Sequence, residues 1–148
     1  MIGAEEILHS KILIVDDQLA NVTLLERMLS GAGYINVRTT THPSEVADLH
    51  LENDYDLILL DVQMPEMDGF AVIDALKKIE QQSYLPVLVI TAQPHHKIHA
   101  LNAGAKDFIS KPFDMAEMLA RVHNMLEVRL LHKESQQYGV TLEQKVQE

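Results

Sequence analysis

Five short, mostly apolar runs alternate along the chain with longer amphipathic stretches, and this order constrains the fold more than any other feature. The runs occupy residues Lys11–Val15, Asn36–Thr40, 57–60, 87–90 and Asp107–Ser110. In the first, third and fourth runs, Val, Ile and Leu follow one another without alternating polar residues. This pattern is typical of strands that a parallel sheet buries on both faces. The second run alternates, which indicates an edge strand.

The stretches between these runs have the spacing of helices. Their apolar positions predict helices around residues 22–29, 44–51, 72–79 and 95–103, and from Met115 onward. Asp114 precedes Glu117 by three residues, which is the spacing of a cap at the start of the last helix. Strands and helices in strict alternation predict parallel strands with right-handed crossovers, and therefore a doubly wound α/β fold.

The last predicted helix is longer than one side of so small a sheet needs. It runs from Met115 to about Tyr138 without proline or glycine. Val128, Leu131, Tyr138 and Leu142 keep a spacing of three and four residues, interrupted at Ser135 and Gly139. We therefore expect residues 1–10 to form a lead-in, residues 11–127 a domain and residues 128–148 a helical linker. The alternative for the last segment is a frayed tail.

Composition narrows the class of protein. The chain has 148 residues, no cysteine and a formal net charge of -10. Without cysteine, disulfides and thiolate metal sites are excluded, and the acidic balance opposes sequence-independent binding to nucleic acid. No apolar run approaches the roughly 20 residues of a membrane span, and no basic leader precedes the chain. We expect a cytoplasmic protein that binds neither membranes nor nucleic acid directly.

Polar residues stand at the carboxyl ends of four predicted strands. Asp16 and Asp17 follow the first strand, Asp61 the third, Thr91 the fourth and Lys111 the fifth. Because ligands bind at this edge of an open parallel sheet, we expect the three carboxylates, the hydroxyl and the ammonium to converge there. Neighbouring carboxylates repel one another, and Mg²⁺ relieves such repulsion. An aspartate is then a suitable nucleophile for a phosphoryl group, with the Lys and Thr as donors to its charge.

Four segments resemble the successive signatures of the response regulator receiver family: ILIVDDQ, LILLDVQMPEMDG, VLVITA and AGAKDFISKPF. The resemblance covers about residues 11–127, and its block LLDVQMPEMDG is the most specific part. It implies a flavodoxin-like sheet of strand order 2-1-3-4-5 with five helices. It also implies a phosphoacceptor module of two-component signalling, which receives its phosphoryl group from a sensor histidine kinase or a phosphotransfer protein. Such a module is not itself a turnover enzyme.

The resemblance assigns four residues to the phosphorylation site. Asp61 matches the phosphoacceptor. Asp16 and Asp17 match the acidic pair that holds Mg²⁺ together with Asp61, and the backbone carbonyl of Gln63 matches the remaining protein ligand.

Further positions match the parts of the family that respond to phosphorylation. Thr91 and Lys111 match the phosphoryl-sensing residues, and Phe108 matches the aromatic residue that rotates in the switch. Gln63 and Gln93 lie at positions that tune dephosphorylation. The peptide bond between Lys111 and Pro112 matches one that is usually cis in the family.

Three other readings of the sequence fit less well. A phosphatase of the haloacid-dehalogenase type needs a second aspartate two residues after the nucleophile, where this chain has Gln63. A nucleotide- or flavin-binding domain needs a first loop rich in Gly, Ser or Thr, whereas Asp16 and Asp17 would repel phosphate. His95 and His99 have the spacing of two zinc ligands on one helix, but no acidic third ligand follows them.

The sequence also raises expectations about the larger protein. The stretch RVHNMLEVRLLHKES is similar to linkers that precede cyclic-di-GMP phosphodiesterase domains of the HD-GYP kind. We therefore expect a covalently attached output domain, of this or another type. The apolar positions in residues 128–148 also make a homodimer an expectation, because they need a partner to leave water.

Overall fold

The computed structural model describes residues 3–61, 69–79, 86–92, 101–102, 105–112 and 114–147, with side chains in the last range described up to Glu134. Five parallel strands form one sheet in the order β2-β1-β3-β4-β5. Their bounds are Lys11–Val15 (β1), Asn36–Thr40 (β2), Leu57–Asp61 (β3), Val87–Thr91 (β4) and Asp107–Ser110 (β5). The predicted fold class, strand order and edge position of the second strand are confirmed.

Helices cover both faces of this sheet. They are Ala4–Leu8 (α1), Leu19–Gly31 (α2), Val46–Asn53 (α3), Gly69–Ile79 (α4) and Met115–Gln147 (α5), with a 3₁₀ turn at Pro43–Glu45. The Asp114 side chain accepts a hydrogen bond from the Glu117 backbone N–H at 2.6 Å, which confirms the predicted cap. Most of the helix predicted at 95–103 lies outside the described residues.

The continuous apolar runs are explained by two cores, one on each face of the sheet. Along β1, Ile12 and Ile14 point into a core formed with α1, α2 and α5. Leu13 and Val15 point into a second core formed with α3 and α4. Because successive side chains of a strand face opposite ways, an interior strand needs an apolar residue at every position.

The structure adds detail to both ends of the chain, where the sequence predicts a lead-in and a helical linker. Residues 1–10 include α1, in which Ile7 is buried and packs into the same core as α5. At the other end, α5 continues unbroken through Gly139 to Gln147. The predicted boundary after Glu127 lies within this helix, and ion pairs with the body extend to Lys133. Arg129 and Lys133 thus attach the part of α5 just beyond Glu127 to the body.

None of the helices in the described part of the chain combines the length and the apolar character that crossing a membrane requires.

Candidate functional site

The site is built around Asp61, the last residue of the central strand β3. Its carboxylate is almost completely buried, and the Lys111 ammonium donates a hydrogen bond to Oδ2 at 2.8 Å. Lys111 follows β5 directly, and its backbone N–H donates to the Thr91 carbonyl at 2.9 Å. The ends of β3, β4 and β5 thus bring these three residues to one edge, as the sequence predicted.

Asp16 lies beside Asp61, immediately after β1, and is also almost completely buried. Its Oδ1 accepts a hydrogen bond from the Gln18 backbone N–H, and its Oδ2 accepts one from the Asn21 side-chain amide, both at 3.0 Å. Asn21 was not identified from the sequence. It lies in the first turns of α2, and its approach to Asp16 depends on how that helix packs.

The two carboxylates are in electrostatic conflict. Burial, chiefly, raises the pKa of Asp16 to about 6, and the hydrogen bond and charge of Asp61 act in the same direction. The donors Gln18 and Asn21 oppose this rise. Lys111 supplies one positive charge to a pair that would carry two negative charges when fully ionised. The arrangement favours a bound cation or a proton on the pair.

The other predicted members of the site lie around this pair. Thr91 is completely buried at the end of β4. Asp17 is more exposed than Asp16, since the chain turns away from β1 at this point. In the described residues, no three acidic or histidine side chains gather as a metal site. The structure therefore pairs two of the three carboxylates expected to converge.

Several predicted residues fall outside the described ranges. These are Gln63 and Gln93, assigned to metal binding and dephosphorylation, and the alternative zinc ligands His95 and His99. The Lys111–Pro112 peptide bond is described and is cis, as the resemblance implied.

Phe108 lies on β5 and is partly exposed, with contacts to the core on the α3 and α4 side. The Arg121 guanidinium of α5 lies 5.9 Å from the centre of its ring. Arg121 Nη1 donates to both carboxylate oxygens of Asp107 at 2.9 Å. Asp107 Oδ1 also accepts a hydrogen bond from the Phe108 backbone N–H at 2.8 Å. Sequence spacing gave no sign of this cluster, which arises from the packing of α5 on β5.

A cavity of about 410 Å³ opens beside Asp16 and Lys111. Between α2 and the start of α5, its walls are mostly apolar, formed by Leu24, Leu25, Met28, Ile90, Pro112 and Met115. Leu24 and Met115 are exposed to solvent, unlike most large apolar side chains of the described residues. An apolar groove thus adjoins the buried carboxylates.

Several known proteins are similar to this chain in sequence and in fold. A family model described as the response regulator receiver domain matches residues 12–123. The DNA-binding dual master transcriptional regulator RpaA of Synechocystis sp. is 40% identical over 118 residues, covering 78% of this chain and 48% of that protein. The response regulator SaeR of Staphylococcus aureus is 38% identical over 117 residues, covering 78% and 50%. The chain thus spans about half the length of these curated relatives.

A solved structure is also similar. It is the receiver domain of the sensor histidine kinase PA1611 of Pseudomonas aeruginosa, described with a magnesium ion in its active site cleft. The TM-score is 0.72 at 27% identity, over 80% of this chain and 97% of that one.

Proposed function

The chain belongs to the response regulator receiver domain family, and on that basis we propose that Asp61 is its phosphoacceptor. A Mg²⁺ ion would be held by Asp16, Asp17, Asp61 and the backbone carbonyl of Gln63. The contact that carries this proposal is the 2.8 Å hydrogen bond from Lys111 to Asp61 beside the second buried carboxylate of Asp16.

The geometry suits an attack by Asp61 on phosphorus. A carboxylate needs no general base to act as a nucleophile, and Lys111 donates a hydrogen bond to one oxygen of Asp61. An Asp61 oxygen forms the new O–P bond as the bond from phosphorus to the donor breaks, and the leaving group keeps that electron pair. Lys111 and the Thr91 hydroxyl, at the ends of neighbouring strands, are donors of the type that stabilises the transferred phosphoryl oxygens.

The residues present fit a magnesium ion. Mg²⁺ prefers oxygen ligands and commonly uses one or two carboxylates, with waters and phosphate oxygens completing the shell. Asp16 and Asp61 provide two buried carboxylates, and burial, together with the neighbouring Asp61, raises the pKa of Asp16. When bound, the cation supplies positive charge that lowers this repulsion and offsets the charge of the phosphoryl group.

The donor is a histidine kinase or a phosphotransfer protein, and its docking region includes the apolar groove. Any donor must bring its phosphoryl group to Asp61. The apolar groove, whose walls include Leu24, Met28 and Met115, opens beside Asp16 and Lys111, which both lie next to Asp61. Exposed apolar side chains at such a place favour a partner surface with its own apolar side chains.

The response to phosphorylation is assigned to Thr91 and Phe108, and the lifetime of the phosphoryl group to Gln63 and Gln93. Thr91 is buried at the site, and Phe108 lies on the adjoining strand. Movement of Thr91 toward the phosphoryl group would open space for the Phe108 ring and change the surface of β5 and α5. The module carries out self-phosphorylation and self-dephosphorylation, and no other turnover.

An output domain attached to this module is also part of the proposal. The chain spans about half the length of RpaA and SaeR, and RpaA is described as DNA-binding. The output here is a DNA-binding module or an enzyme such as an HD-GYP phosphodiesterase.

The test is phosphorylation by acetyl phosphate in the presence of Mg²⁺, followed by intact mass spectrometry. We expect one acid-labile phosphoryl group on the parent chain and none on Asp61→Asn. Asp74→Asn, which removes an exposed carboxylate from α4, is the matched control and should be phosphorylated like the parent. Labelling of Asp61→Asn, or equal labelling in EDTA, would contradict the assignment.

A further inference from the structure

A second cleft lies at the edge of the sheet where the strands begin, opposite the edge that carries Asp61. It has a volume of about 330 Å³ and lies between the end of α3 and the start of the edge strand β2. A volume of this size is at the lower end of the range for small-molecule sites, which suits a ligand of about one ring. The polar residues that line the cleft are Lys11, Asn36, Arg38, Asn53 and Tyr55.

Two basic side chains reach this cleft from neighbouring strands. In the parallel pairing of β1 with β2, Lys11 lies opposite Asn36, and Arg38 follows two residues later. Because side chains alternate along a strand, positions 36 and 38 face the same way. Arg38 lies opposite Leu13, which points into the core on the α3 and α4 side. Lys11 and Arg38 therefore both lie on the side of the sheet that α3 covers.

The cleft is basic, although the chain has a formal net charge of -10. None of the described residues that line it is acidic. Lys11 and Arg38 form no ion pair with any residue in the described ranges. The Lys11 ammonium donates one hydrogen bond, to the Asn53 backbone carbonyl at 3.1 Å, which leaves its charge uncompensated. Two positive charges therefore remain available to an anion.

The two acidic residues that flank Tyr55 in the chain have partners of their own. Asp54 pairs with Arg129 of α5 at 3.3 Å, and Asp56 pairs with Lys133 of α5 at 2.7 Å. These pairs offset the negative charge at the end of the cleft. An anion that enters the cleft is therefore not opposed by unpaired carboxylates at positions 54 and 56.

Tyr55 contributes a hydroxyl group without a partner. The residue is only 3% exposed, and its ring stacks on the His50 ring with the centroids 6.2 Å apart. Its backbone N–H donates to His50 Nδ1 at 3.1 Å, which also holds the residue in place. Its hydroxyl is buried and forms no hydrogen bond with the described part of the chain. An unpaired buried hydroxyl costs free energy, which an acceptor atom bound beside it would recover.

We propose that this cleft binds a small organic anion, in which a carboxylate or phosphate group is attached to an apolar group. The planar guanidinium of Arg38 suits two parallel hydrogen bonds to such an anion, and Lys11 adds a second positive charge. The Tyr55 hydroxyl donates to an oxygen of the ligand. Ile35 also lines the cleft and is 63% exposed, so it contacts the apolar group.

Benzoate tests this proposal, with benzamide as a neutral counterpart of nearly the same shape. The full chain is titrated in Tris chloride buffer without divalent metal, and binding is followed by ¹⁵N–¹H correlation spectra. We expect benzoate to shift the backbone amides of residues 35–38 and 53–55, with a dissociation constant on the order of 1 mM. Benzamide should bind at least about tenfold more weakly, because it lacks the charge. Phenyl phosphate in the same titration distinguishes a phosphate site from a carboxylate site.

Variants assign the binding to particular side chains. Arg38→Gln should weaken benzoate binding at least about fivefold, because the charge-assisted hydrogen bonds are lost. Arg27→Gln is the matched control, since it removes the same charge from an exposed arginine of α2 that likewise has no ion pair in the described ranges. It should bind benzoate like the parent. Tyr55→Phe should weaken binding several-fold without lowering the melting temperature, because the hydroxyl has no partner to lose in the free protein.

Three outcomes would overturn the proposal. Equal binding of benzamide and benzoate would show that charge does not matter in the cleft. Equal losses from Arg38→Gln and Arg27→Gln would indicate a general attraction of anions to basic residues. A lower melting temperature of Tyr55→Phe with unchanged binding would assign the hydroxyl to the fold and not to a ligand. None of these measurements involves phosphorylation, so they are independent of the proposed role of Asp61.

Discussion

At the scale of single residues, the buried pair of carboxylates governs the chemistry of the site. Asp16 and Asp61 lie side by side at the ends of neighbouring strands, with Lys111 as the ammonium that contacts Asp61. Burial raises the pKa of Asp16 to about 6, and the neighbouring Asp61 adds to the rise. The same feature that prepares the site for a cation therefore makes the metal-free fold less stable.

We predict that Asp16→Asn stabilises the metal-free protein near neutral pH. Below the ordinary pKa of 3.8, Asp16 is protonated in both the folded and unfolded states. As the pH rises toward 6, the unfolded chain loses this proton first, so stability falls through that window. The full penalty, at most about 3 kcal/mol, applies above the folded pKa. Urea denaturation in EDTA should show Asp16→Asn more stable by roughly 1–3 kcal/mol at neutral pH and nearly equal near pH 4.

The control for this prediction is Asp48→Asn, which removes an exposed carboxylate from α3. It should change stability little at either pH, because a solvated carboxylate has no comparable penalty. Addition of Mg²⁺ should narrow the difference between the parent and Asp16→Asn, since the cation binds the ionised pair. A gain that is as large at pH 4 as at neutral pH would show that charge is not its cause.

Thr91→Ala should separate phosphorylation from its structural consequence. Thr91 is completely buried, and the Lys111 backbone N–H donates to the Thr91 backbone carbonyl, which the substitution leaves in place, so the strand end should keep its position. We expect acetyl phosphate to label the variant at Asp61. We also expect hydrogen exchange around Phe108 to change on phosphorylation several-fold less than in the parent. A ligand shifts two states only through contacts that differ between them, so an unaltered response would exclude the Thr91 hydroxyl as that contact.

Some site residues could be predicted from the sequence, and others could not. Asp16, Asp61, Thr91 and Lys111 end or follow strands, and parallel strands bring those ends to one edge whatever the details of packing. Asn21 belongs to a helix, and its contact with Asp16 depends on the rotation of α2 about its axis. The Arg121 guanidinium over Phe108 depends in the same way on α5. Such contacts require the packed structure.

At the scale of secondary-structure elements, the strands were the most predictable part. Each interior strand is buried on both faces, so its sequence is an unbroken apolar run whose ends are easy to recognise. The five-residue helix α1 was missed, because one turn is too short to show helical periodicity. The helical character of residues 128–148 was predicted, but the contacts that α5 makes with the body were not. Arg129 looks like a solvent-facing residue in the sequence, yet it is buried against Asp54.

The ion pairs between α5 and the body predict where the chain can be shortened without loss of stability. Arg129 pairs with Asp54, and Lys133 pairs with Asp54 and Asp56. A chain that ends after Glu134 keeps Arg129 and Lys133, so its body should unfold like that of the parent. A chain that ends after Glu127 leaves Asp54 and Asp56 without these partners and uncovers part of the core. We expect it to be less stable by roughly 2–3 kcal/mol, since the buried Asp56 loses its ionic partner Lys133 and keeps the hydrogen bond from the Lys11 backbone N–H. Thermal denaturation at low protein concentration measures both.

Self-association would raise the apparent stability of the longer chains, and a low protein concentration keeps this effect out of the comparison between the parent and the shortened chains. Lys133→Met in the full chain isolates the contribution of the Lys133 ion pairs, and about 1 kcal/mol of destabilisation is expected because the lysine is partly solvated. If both shortened chains were as stable as the parent, α5 beyond Glu127 would contribute nothing to the body, and the original boundary between domain and linker would stand.

At the scale of the whole molecule, the net charge of -10 bears on whether this chain by itself can bind nucleic acid. RpaA is described as DNA-binding, and this chain covers 48% of its length. The matched part is the receiver domain, whose model covers residues 12–123 here. Contacts between basic side chains and phosphates supply most of the non-specific affinity for DNA. The charge of this domain therefore determines whether it can contribute to DNA binding.

We predict that this chain alone does not bind duplex DNA. Its formal net charge is -10, with 12 basic against 22 acidic residues. Four of the basic residues, Lys111, Arg121, Arg129 and Lys133, are paired with aspartates of the chain itself. Fluorescence anisotropy with a labelled random-sequence duplex should therefore show no binding even at low salt, where counterion release is most favourable. Binding that weakens steadily as salt is added would reveal a basic surface in this domain and contradict the prediction.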